Sequence, residues 1–167
     1  MQHKDTPFIK KTIALVAHDH RKNDLVEWVA YNYRHLINHQ LVCTGTTGTL
    51  VEKTIQAALK NEESLAFDIK KLNSGPLGGD QQLGAMITEG KIDIAIFLWD
   101  PMQPQPHEVD VKALLRILVL YNVPTACNRS TADYLITSSL YAKDYKPIQK
   151  DYSGYINRVI QDLDEGL

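Results

Sequence analysis

A glycine-rich stretch at residues 74–82, Ser-Gly-Pro-Leu-Gly-Gly-Asp-Gln-Gln, brings one carboxylate to the start of a predicted helix. Three glycines and a proline fix a tight loop, which ends at Asp80. Asp is a common N-cap residue because its carboxylate accepts hydrogen bonds from the first backbone N–H groups of a helix. A helix cap alone does not require three glycines and a proline before it. The sequence therefore leaves two interpretations of Asp80 open, a helix cap or a functional carboxylate.

A second stretch, Thr-Gly-Thr-Thr-Gly at residues 44–48, precedes a helical pattern and could bind an anion. Glycines let backbone N–H groups turn inward, and threonines add hydroxyl donors. The helix that follows presents a partial positive charge at its N-terminus. A plain capping turn explains the same residues, because Ser and Thr are favoured there. An anion cradle and a cap are therefore both open for this stretch.

Histidines and a lysine stand in two further loops. His18 and His20 are two residues apart and could bind zinc, but no third ligand lies at a convincing spacing, so we expect no metal site. Lys22 falls on the first turn of the next helix, where it is either a solvated charge or the partner of a phosphate. His107 lies in a proline-rich loop, and an exposed loop histidine is its simpler interpretation.

Short apolar runs that alternate with amphipathic stretches must position these residues. The continuous apolar run at 13–17 is typical of a strand buried on both faces of a parallel sheet. Strands alternating with helices predict an α/β fold, a single three-layer domain with a parallel central sheet and helices on both faces. Strands are predicted at 13–17, 41–43, 67–72 (an edge strand), 92–99 and 124–127. Helices are predicted at 25–36, 50–59, 81–89, 109–121 and, less clearly, 155–163, with a polar loop at 61–64.

Almost all glycine-rich and ionisable loops of the first 130 residues follow the predicted strands. In a parallel sheet, the loops that leave the carboxyl ends of the strands converge on one crevice, where ligands bind. The sequence therefore predicts a ligand site at this edge. Its loops are residues 18–22, 44–48, 73–80, 100–110 and 128–130.

Length and composition restrict the class of protein. The 167 residues fit one domain, with an N-terminal extension at 1–11 and a C-terminal tail at 141–167. A net charge of -2 argues against a nucleic-acid or membrane partner. No signal peptide or membrane span is predicted, and we expect a cytoplasmic location. Cys43 and Cys127 each end an apolar run, so both are predicted to be reduced core residues.

Six separated motifs, in order along residues 13–133, resemble the methylglyoxal synthase family. They are the Ala-Leu-Val-Ala-His-Asp-His run at 14–20, the stretches at 44–48 and 74–82, and Trp-Asp-Pro at 99–101. The last two are Pro-His-Glu-Val-Asp-Val-Lys-Ala-Leu at 106–114 and Thr-Ala-Asp at 131–133. The resemblance implies an α/β domain around a parallel sheet. It also implies the elimination of phosphate from dihydroxyacetone phosphate (glycerone phosphate) to give methylglyoxal.

The resemblance also assigns roles to residues. It implies that Asp80 is the catalytic base and His107 a proton shuttle near the substrate oxygens, with Asp19 and Asp110 as further active-site carboxylates. The substrate and its phosphate would be held by His18, Lys22, Thr44, Gly45, Thr46, Thr47, Ser74, Gly75 and His107. The family implies no metal or organic cofactor, inhibition by inorganic phosphate, and a homo-oligomer that is a hexamer. We also expect the apolar helix at 111–120 to be too hydrophobic for full exposure on one side.

The implied chemistry makes demands on these residues. A proton must leave the carbon next to a carbonyl, and a carboxylate removes it best when its pKa is raised. If Asp19, Asp80 and Asp110 share one crevice, their mutual repulsion is expected to raise at least one pKa. A neutral His107 would donate to the developing oxyanion, as in the carboxylate–imidazole pair of triosephosphate isomerase.

Two alternatives and two departures accompany this interpretation. A non-catalytic regulatory domain of the same fold would bind a phosphorylated ligand but would have no use for Asp80 together with His107. A triose phosphate isomerase or a cyclohydrolase is the other alternative. The segment between Gly48 and Ser74 is longer than is usual for the family, with extra charges at 60–63, and is expected to lie away from the chemistry. Arg158 is not counted as a site residue because the tail aligns poorly.

Overall fold

The computed structural model describes residues 8–60, 66–104, 107–155, 157 and 158. Strands and helices alternate along these residues, as the pattern of apolar runs predicts. The strands are β1 (Thr12–Ala17), β2 (Gln40–Thr44), β3 (Asp68–Leu72), β4 (Ile94–Leu98) and β5 (Thr125–Ala126). The helices are α1 (Lys22–Leu36), α2 (Gly45–Ala58), α3 (Gly79–Thr88), α4 (Glu108–Leu120) and α5 (Arg129–Thr137).

All five strands form one parallel sheet in the order β3-β2-β1-β4-β5. Ile13 of β1 pairs with Leu41 of β2 on one side and with Ile94 of β4 on the other. The chain therefore winds outward from β1 to β3 and then returns past β1 to β4. This return leaves a switch in winding direction between β1 and β4, the place where open α/β sheets bind ligands.

Successive side chains of each strand point to opposite faces of the sheet, and each face carries its own core. Ile13, Leu15 and Ala17 of β1 pack on the face covered by α1, α2 and α5. Ala14 and Val16 pack on the other face, which α3 and α4 cover. The predicted three-layer α/β architecture, with a parallel sheet between two helical layers, is confirmed.

Most predicted elements are confirmed with their ends shifted by one or two residues, but α1 and α2 begin earlier than predicted. The apolar pattern placed the start of α2 at residue 50, whereas the helix begins at Gly45. Threonine and glycine have low helix propensity, so the first turn carries no local signal. A tertiary contact supports that turn, because Gly45 N–H donates to Asn73 O at 3.0 Å.

Helix α5 was not predicted, and residues 129 and 130, predicted to be loop, belong to it. Asn128 caps the helix, since its side-chain oxygen accepts a hydrogen bond from Thr131 N–H at 2.9 Å. A bond from Trp28 Nε1 to Asp133 Oδ1, 2.8 Å long, ties α5 to α1. Short helices of this kind owe their stability to packing more than to propensity.

The sheet edge and the cysteines follow the prediction in part. β3 lies at the edge of the sheet, as its alternating pattern indicated. Cys43 is free and fully buried, and burial raises the pKa of its thiol to about 12. Cys127 is also free but only half-buried, so the prediction of a core cysteine is wrong in that respect.

Several predictions concern the ends of the chain or lie outside the described residues. The polar loop at 61–64 and most of the helix at 155–163 fall outside them. Tyr141, the first residue of the predicted tail, is buried, and its hydroxyl donates to His35 O at 2.8 Å. The division of the chain at residues 11 and 141 stays a prediction. Within the described ranges, no helix is long and apolar enough to cross a membrane.

Candidate active site

The first loop of the site places a buried histidine beside the carboxyl end of β1. His18 follows β1 directly, and its side chain packs edge-on against Phe97 of β4. Its Nδ1 accepts a hydrogen bond from Asp100 N–H at 3.2 Å, so the neutral ring carries its proton on Nε2. Burial lowers the pKa of His18, and the nearby His107 lowers it further. Near pH 7, His18 is therefore a neutral donor.

The Nε2 atom of His18 is a buried donor that no other described residue satisfies. Only 5% of the residue is exposed, and it lines a cavity at this edge of the sheet. A buried donor without a partner is unfavourable. A ligand oxygen in the cavity would remove this cost.

Lys22 stands at the start of α1 and reaches across to α2. Its Nζ donates to Asp19 Oδ1 and to Thr46 Oγ1, both at 2.5 Å. The Lys22 side chain is 20% exposed, whereas that of Asp19 is 80% exposed. The hydrogen bond and charge of Lys22 hold the pKa of Asp19 below its usual value. Lys22 therefore brings a positive charge to the N-terminus of α2.

The stretch at 44–48 forms the end of β2 and the first turn of α2. Thr44 occupies the N-cap position, but its side chain makes no capping bond within the described structure. Thr44 therefore begins the helix without a side-chain cap. Thr46 and Thr47 lie in the first turn, where backbone N–H groups lack intrahelical acceptors and the helix dipole is positive. This geometry suits a phosphate group.

The glycine-rich loop lies against this turn and could not do so with larger residues. Gly45 has a φ of 39°, and a Cβ there would come within 2.6 Å of Ser74 Cα. A Cβ on Gly79 would come within 2.1 Å of Asn73 O. The two glycines let residues 73–79 fold tightly between the N-termini of α2 and α3. Ser74 and Gly75 thereby line the same cavity as Thr46.

Asp80 lies in the first turn of α3, with only 3% of its side chain exposed. The N-cap residue of α3 is Gly78, so the interpretation of Asp80 as a cap is wrong. Its Oδ2 lies 2.7 Å from Nδ1 of His107, the residue that precedes α4. The His107 ring also stands edge-on to His18, with 6.1 Å between ring centroids. A carboxylate and two imidazoles therefore lie side by side.

These loops enclose a cavity of about 340 Å³ at the carboxyl edge of the sheet. It spans β1, β2 and the loops before α3 and α4, next to the switch point. The structure brings eleven of the twelve predicted site residues to its wall. They are His18, Asp19, Lys22, Thr44, Gly45, Thr46, Thr47, Ser74, Gly75, Asp80 and His107.

Comparisons with known proteins identify the family of this chain. A family model described as "MGS-like domain" matches residues 24–127. A methylglyoxal synthase of Maridesulfovibrio salexigens is 56% identical over 151 residues, which cover 89% of this chain and 96% of that protein. A methylglyoxal synthase of Coxiella burnetii is 51% identical over 150 residues, which cover 90% and 98%. The chain belongs to the methylglyoxal synthase family.

A solved structure supports the same assignment. The crystal structure of methylglyoxal synthase from Elizabethkingia anophelis NUHP1 is 48% identical in sequence and matches with a TM-score of 0.76. The match covers 89% of this chain and 91% of that chain. The family that the six motifs indicate is thus confirmed, both in sequence and in fold.

One predicted site residue of this methylglyoxal synthase family member lies elsewhere. Asp110, in the first turn of α4, lines a second cavity of about 330 Å³ between α3 and α4. Asp80 is the one predicted site residue that lines both cavities. The expectation of three carboxylates in one crevice is therefore wrong. Asp19 also departs from it, because Lys22 lowers rather than raises the pKa of its carboxyl.

Sequence reasoning missed the part of the site that strand β4 contributes. Phe97 forms part of the cavity wall, and Asp100 N–H fixes the tautomer of His18. Phe97 lies in a continuous apolar run, where no pattern distinguishes a wall residue from a core residue. Only the pairing of β1 with β4 brings it to His18. The described residues include no group of three or more His, Cys, Asp or Glu side chains that could hold a metal ion.

Proposed function

We propose that this protein converts dihydroxyacetone phosphate to methylglyoxal and inorganic phosphate, as a carbon–oxygen lyase acting on phosphates. The observation that carries the proposal is the buried Asp80 carboxylate, hydrogen-bonded to His107, in a cavity that the N-terminus of α2 also lines. A buried base next to an anion site is what proton abstraction from a phosphorylated ketone requires. The names of relatives that share about half of the sequence support it.

The phosphate group of the substrate binds at the N-terminus of α2. Backbone N–H groups and hydroxyls of Thr46 and Thr47 donate to its oxygens, and Lys22 adds a charge-assisted hydrogen bond. Ser74 and Gly75, on the neighbouring loop, hold the opposite side of the group. The small cavity leaves room for a three-carbon ligand between the phosphate site and Asp80.

Asp80 removes a proton from the hydroxymethyl carbon, and the C–H electrons form the double bond of an enediolate. His18 donates its Nε2 proton in a hydrogen bond to the developing oxyanion. A neutral donor that is buried and already oriented stabilises this charge more effectively than water does. The bond to Asp100 N–H and the lowered pKa of His18 keep that donor available.

His107 keeps the proton-shuttle role that the family resemblance implied, but we assign donation to the oxyanion to another residue. An ionised Asp80 only accepts hydrogen bonds, so a neutral His107 carries its proton on Nδ1 and has an acceptor at Nε2. It therefore takes up the hydroxyl proton of the substrate and passes it between the two oxygens. Donation to the oxyanion falls to His18, whose Nε2 proton no described residue uses.

The enediolate then expels phosphate. Once His107 has moved the hydroxyl proton to the central oxygen, the oxyanion on the former hydroxymethyl carbon forms an aldehyde carbonyl. The double bond shifts to the phosphate-bearing carbon, and the C–O bond to phosphate breaks with its electrons on the phosphate. The product is the enol of methylglyoxal, which takes a proton at its methylene carbon. Elimination requires the C–O bond to stand out of the enediolate plane. The donors around Thr46 and Thr47 hold the phosphate in that orientation.

Incubation of the purified protein with dihydroxyacetone phosphate tests the proposal. Free phosphate and methylglyoxal should appear in equal amounts, and a coupled assay should detect little glyceraldehyde 3-phosphate. A chelator should not change the rate. Mainly glyceraldehyde 3-phosphate would mean an isomerase, while phosphate binding without turnover would mean a non-catalytic regulatory domain.

Inhibition by inorganic phosphate follows from the same site, because the product anion is the group that the site binds.

A homo-oligomer, specifically a hexamer, is a further proposal. Val111, Leu114 and Leu118 of α4 pack against the sheet of their own chain, so the apolar helix alone no longer argues for it. What supports self-association is that Val109 and Val119 are each 80% exposed. Light scattering that reports a monomer of 18.9 kDa at micromolar concentration would reject it.

The cytoplasmic location expected from the sequence stays a proposal too. It places the protein in the compartment in which a phosphorylated triose would be supplied. Cell fractionation that recovers the protein elsewhere would contradict it.

A further inference from the structure

The ammonium group of Lys22 uses two of its three N–H donors within the protein. One donor goes to Asp19 Oδ1 and another to Thr46 Oγ1, each at 2.5 Å. Two fixed bonds determine the direction of the third N–H, because the three donors have tetrahedral geometry around the nitrogen. The third donor has no partner among the described residues and is available to a ligand in the cavity that Lys22 lines.

Asp19 itself has the wrong surroundings for proton abstraction. Its side chain is 80% exposed, whereas that of Asp80 is 3% exposed. A solvated carboxylate with a lowered pKa is a weak base, since Lys22 stabilises its ionised form. A catalytic role for Asp19, which the family resemblance implied, does not fit this environment.

We propose that Asp19 is a positioning residue that acts through Lys22: it fixes the ammonium between Thr46 and the cavity so that one donor meets the phosphate. The proposal rests on the proposed function, in which that phosphate belongs to the substrate. A flexible lysine loses side-chain entropy when it is held in one rotamer. Because Asp19 and Thr46 hold it before a ligand arrives, less of that cost falls on binding.

The charge of Asp19 makes the proposal easy to distinguish from a passive role. A carboxylate near an anion site repels the anion, so its neutralisation would tighten phosphate binding if repulsion were its only effect. A positioning carboxylate has the opposite effect, because its removal releases Lys22. The sign of the change in phosphate affinity therefore decides between them.

The experiment compares the variants Asp19→Ala, Asp19→Asn, Lys22→Ala and the double variant Asp19→Ala/Lys22→Ala. Titration calorimetry with inorganic phosphate gives Kd, and steady-state assays give kcat and KM. Asp19→Ala should raise both the phosphate Kd and the KM about fivefold or more, with kcat within about twofold. Asp19→Asn keeps a hydrogen-bond acceptor and should recover part of the loss. In the Lys22→Ala background, Asp19→Ala should have no further effect.

A matched control uses Asp24, which pairs with Arg21 at 3.1 Å with the same three-residue spacing but does not line the cavity. Asp24→Ala should leave Kd, KM and kcat unchanged. Tighter phosphate binding by Asp19→Ala, or an undiminished effect of Asp19→Ala in the Lys22→Ala background, would overturn the proposal. A large loss of kcat with KM unchanged would also overturn it. Phosphate binding can be measured by calorimetry even if the wild type shows no turnover. The positioning role of Asp19 and the proposed lyase activity can therefore be refuted independently.

Discussion

Substitution of Gly75 tests whether the Asp80–His107 pair must keep its geometry. An ideal Cβ at Gly75 would lie 2.7 Å from His107 Cε1, 3.1 Å from Asp80 Oδ2 and 3.2 Å from His107 Nδ1. Gly75→Ala therefore places one methyl group against both members of the pair. The φ of Gly75 is not positive, so the substitution adds contact without backbone strain.

The size of the effect follows from these distances. Ordinary carbon–carbon contact is about 3.5 Å, so His107 must withdraw by about 0.8 Å. A shift of that size in a ring that lies 2.7 Å from Asp80 Oδ2 disturbs the hydrogen bond between the two side chains. A misplacement of about 1 Å at a reacting centre costs about 100-fold in rate. We expect kcat to fall by about that factor, with an overpacking cost of about 1–3 kcal/mol in stability.

The assay measures kcat by methylglyoxal formation, with phosphate affinity and Tm recorded for each variant. Gly84→Ala is the matched control, because its Cβ would meet Ile117 Cδ1 at an ordinary 3.7 Å. Alanine in place of this helical glycine should leave kcat unchanged and stabilise α3 by up to about 1 kcal/mol. If folded Gly75→Ala kept kcat within about threefold of Gly84→Ala, the geometry of the pair would not limit the rate.

Three further predictions concern the chemistry, the phosphate site and the opposite end of the sheet. Asp80→Asn should bind phosphate normally yet lose most turnover, because an amide cannot accept the proton. His107→Gln should lower kcat by a smaller factor. A kcat of Asp80→Asn within a few-fold of wild type would remove Asp80 from the mechanism. Lys22→Ala should weaken substrate binding and phosphate inhibition together, and a change in only one would show that the anions bind separately. Burial lowers the pKa of His39 to about 4, while the unfolded chain takes up this proton near pH 6.5. Stability should therefore decline as pH falls from about 6.5 towards 4. His39→Asn, which can still accept the hydrogen bond from Lys11 N–H, should reduce the decline in Tm; equal declines would refute this role of His39.

The sequence by itself determined the architecture and most of the site. Continuous apolar runs and helical spacing fixed the order of strands and helices, because burial imposes these periods on the chain. Loops at the carboxyl ends of parallel strands converge, and this rule predicted that Thr46, Ser74 and Asp80 lie together. In the structure, all three line one cavity. The motifs identified the family, which no periodicity could have done.

Local sequence did not determine where helices begin. The first turn of α2 consists of residues with low helix propensity and depends on Asn73 O, which is distant in sequence. Helix α5 carries a cap at Asn128 but too short an apolar pattern to stand out. Such boundaries depend on tertiary contacts, because these contribute more to the stability of a helix end than the small differences in helix propensity do.

Only the tertiary structure decided which side chains act on each other. The sequence analysis expected Asp19, Asp80 and Asp110 to share one crevice and to repel one another there. In the fold, Lys22 binds Asp19, His107 contacts Asp80, and Asp110 lies in another cavity. Burial and hydrogen-bond partners control the charge and reactivity of a carboxylate, and both arise from contacts between residues far apart in the chain.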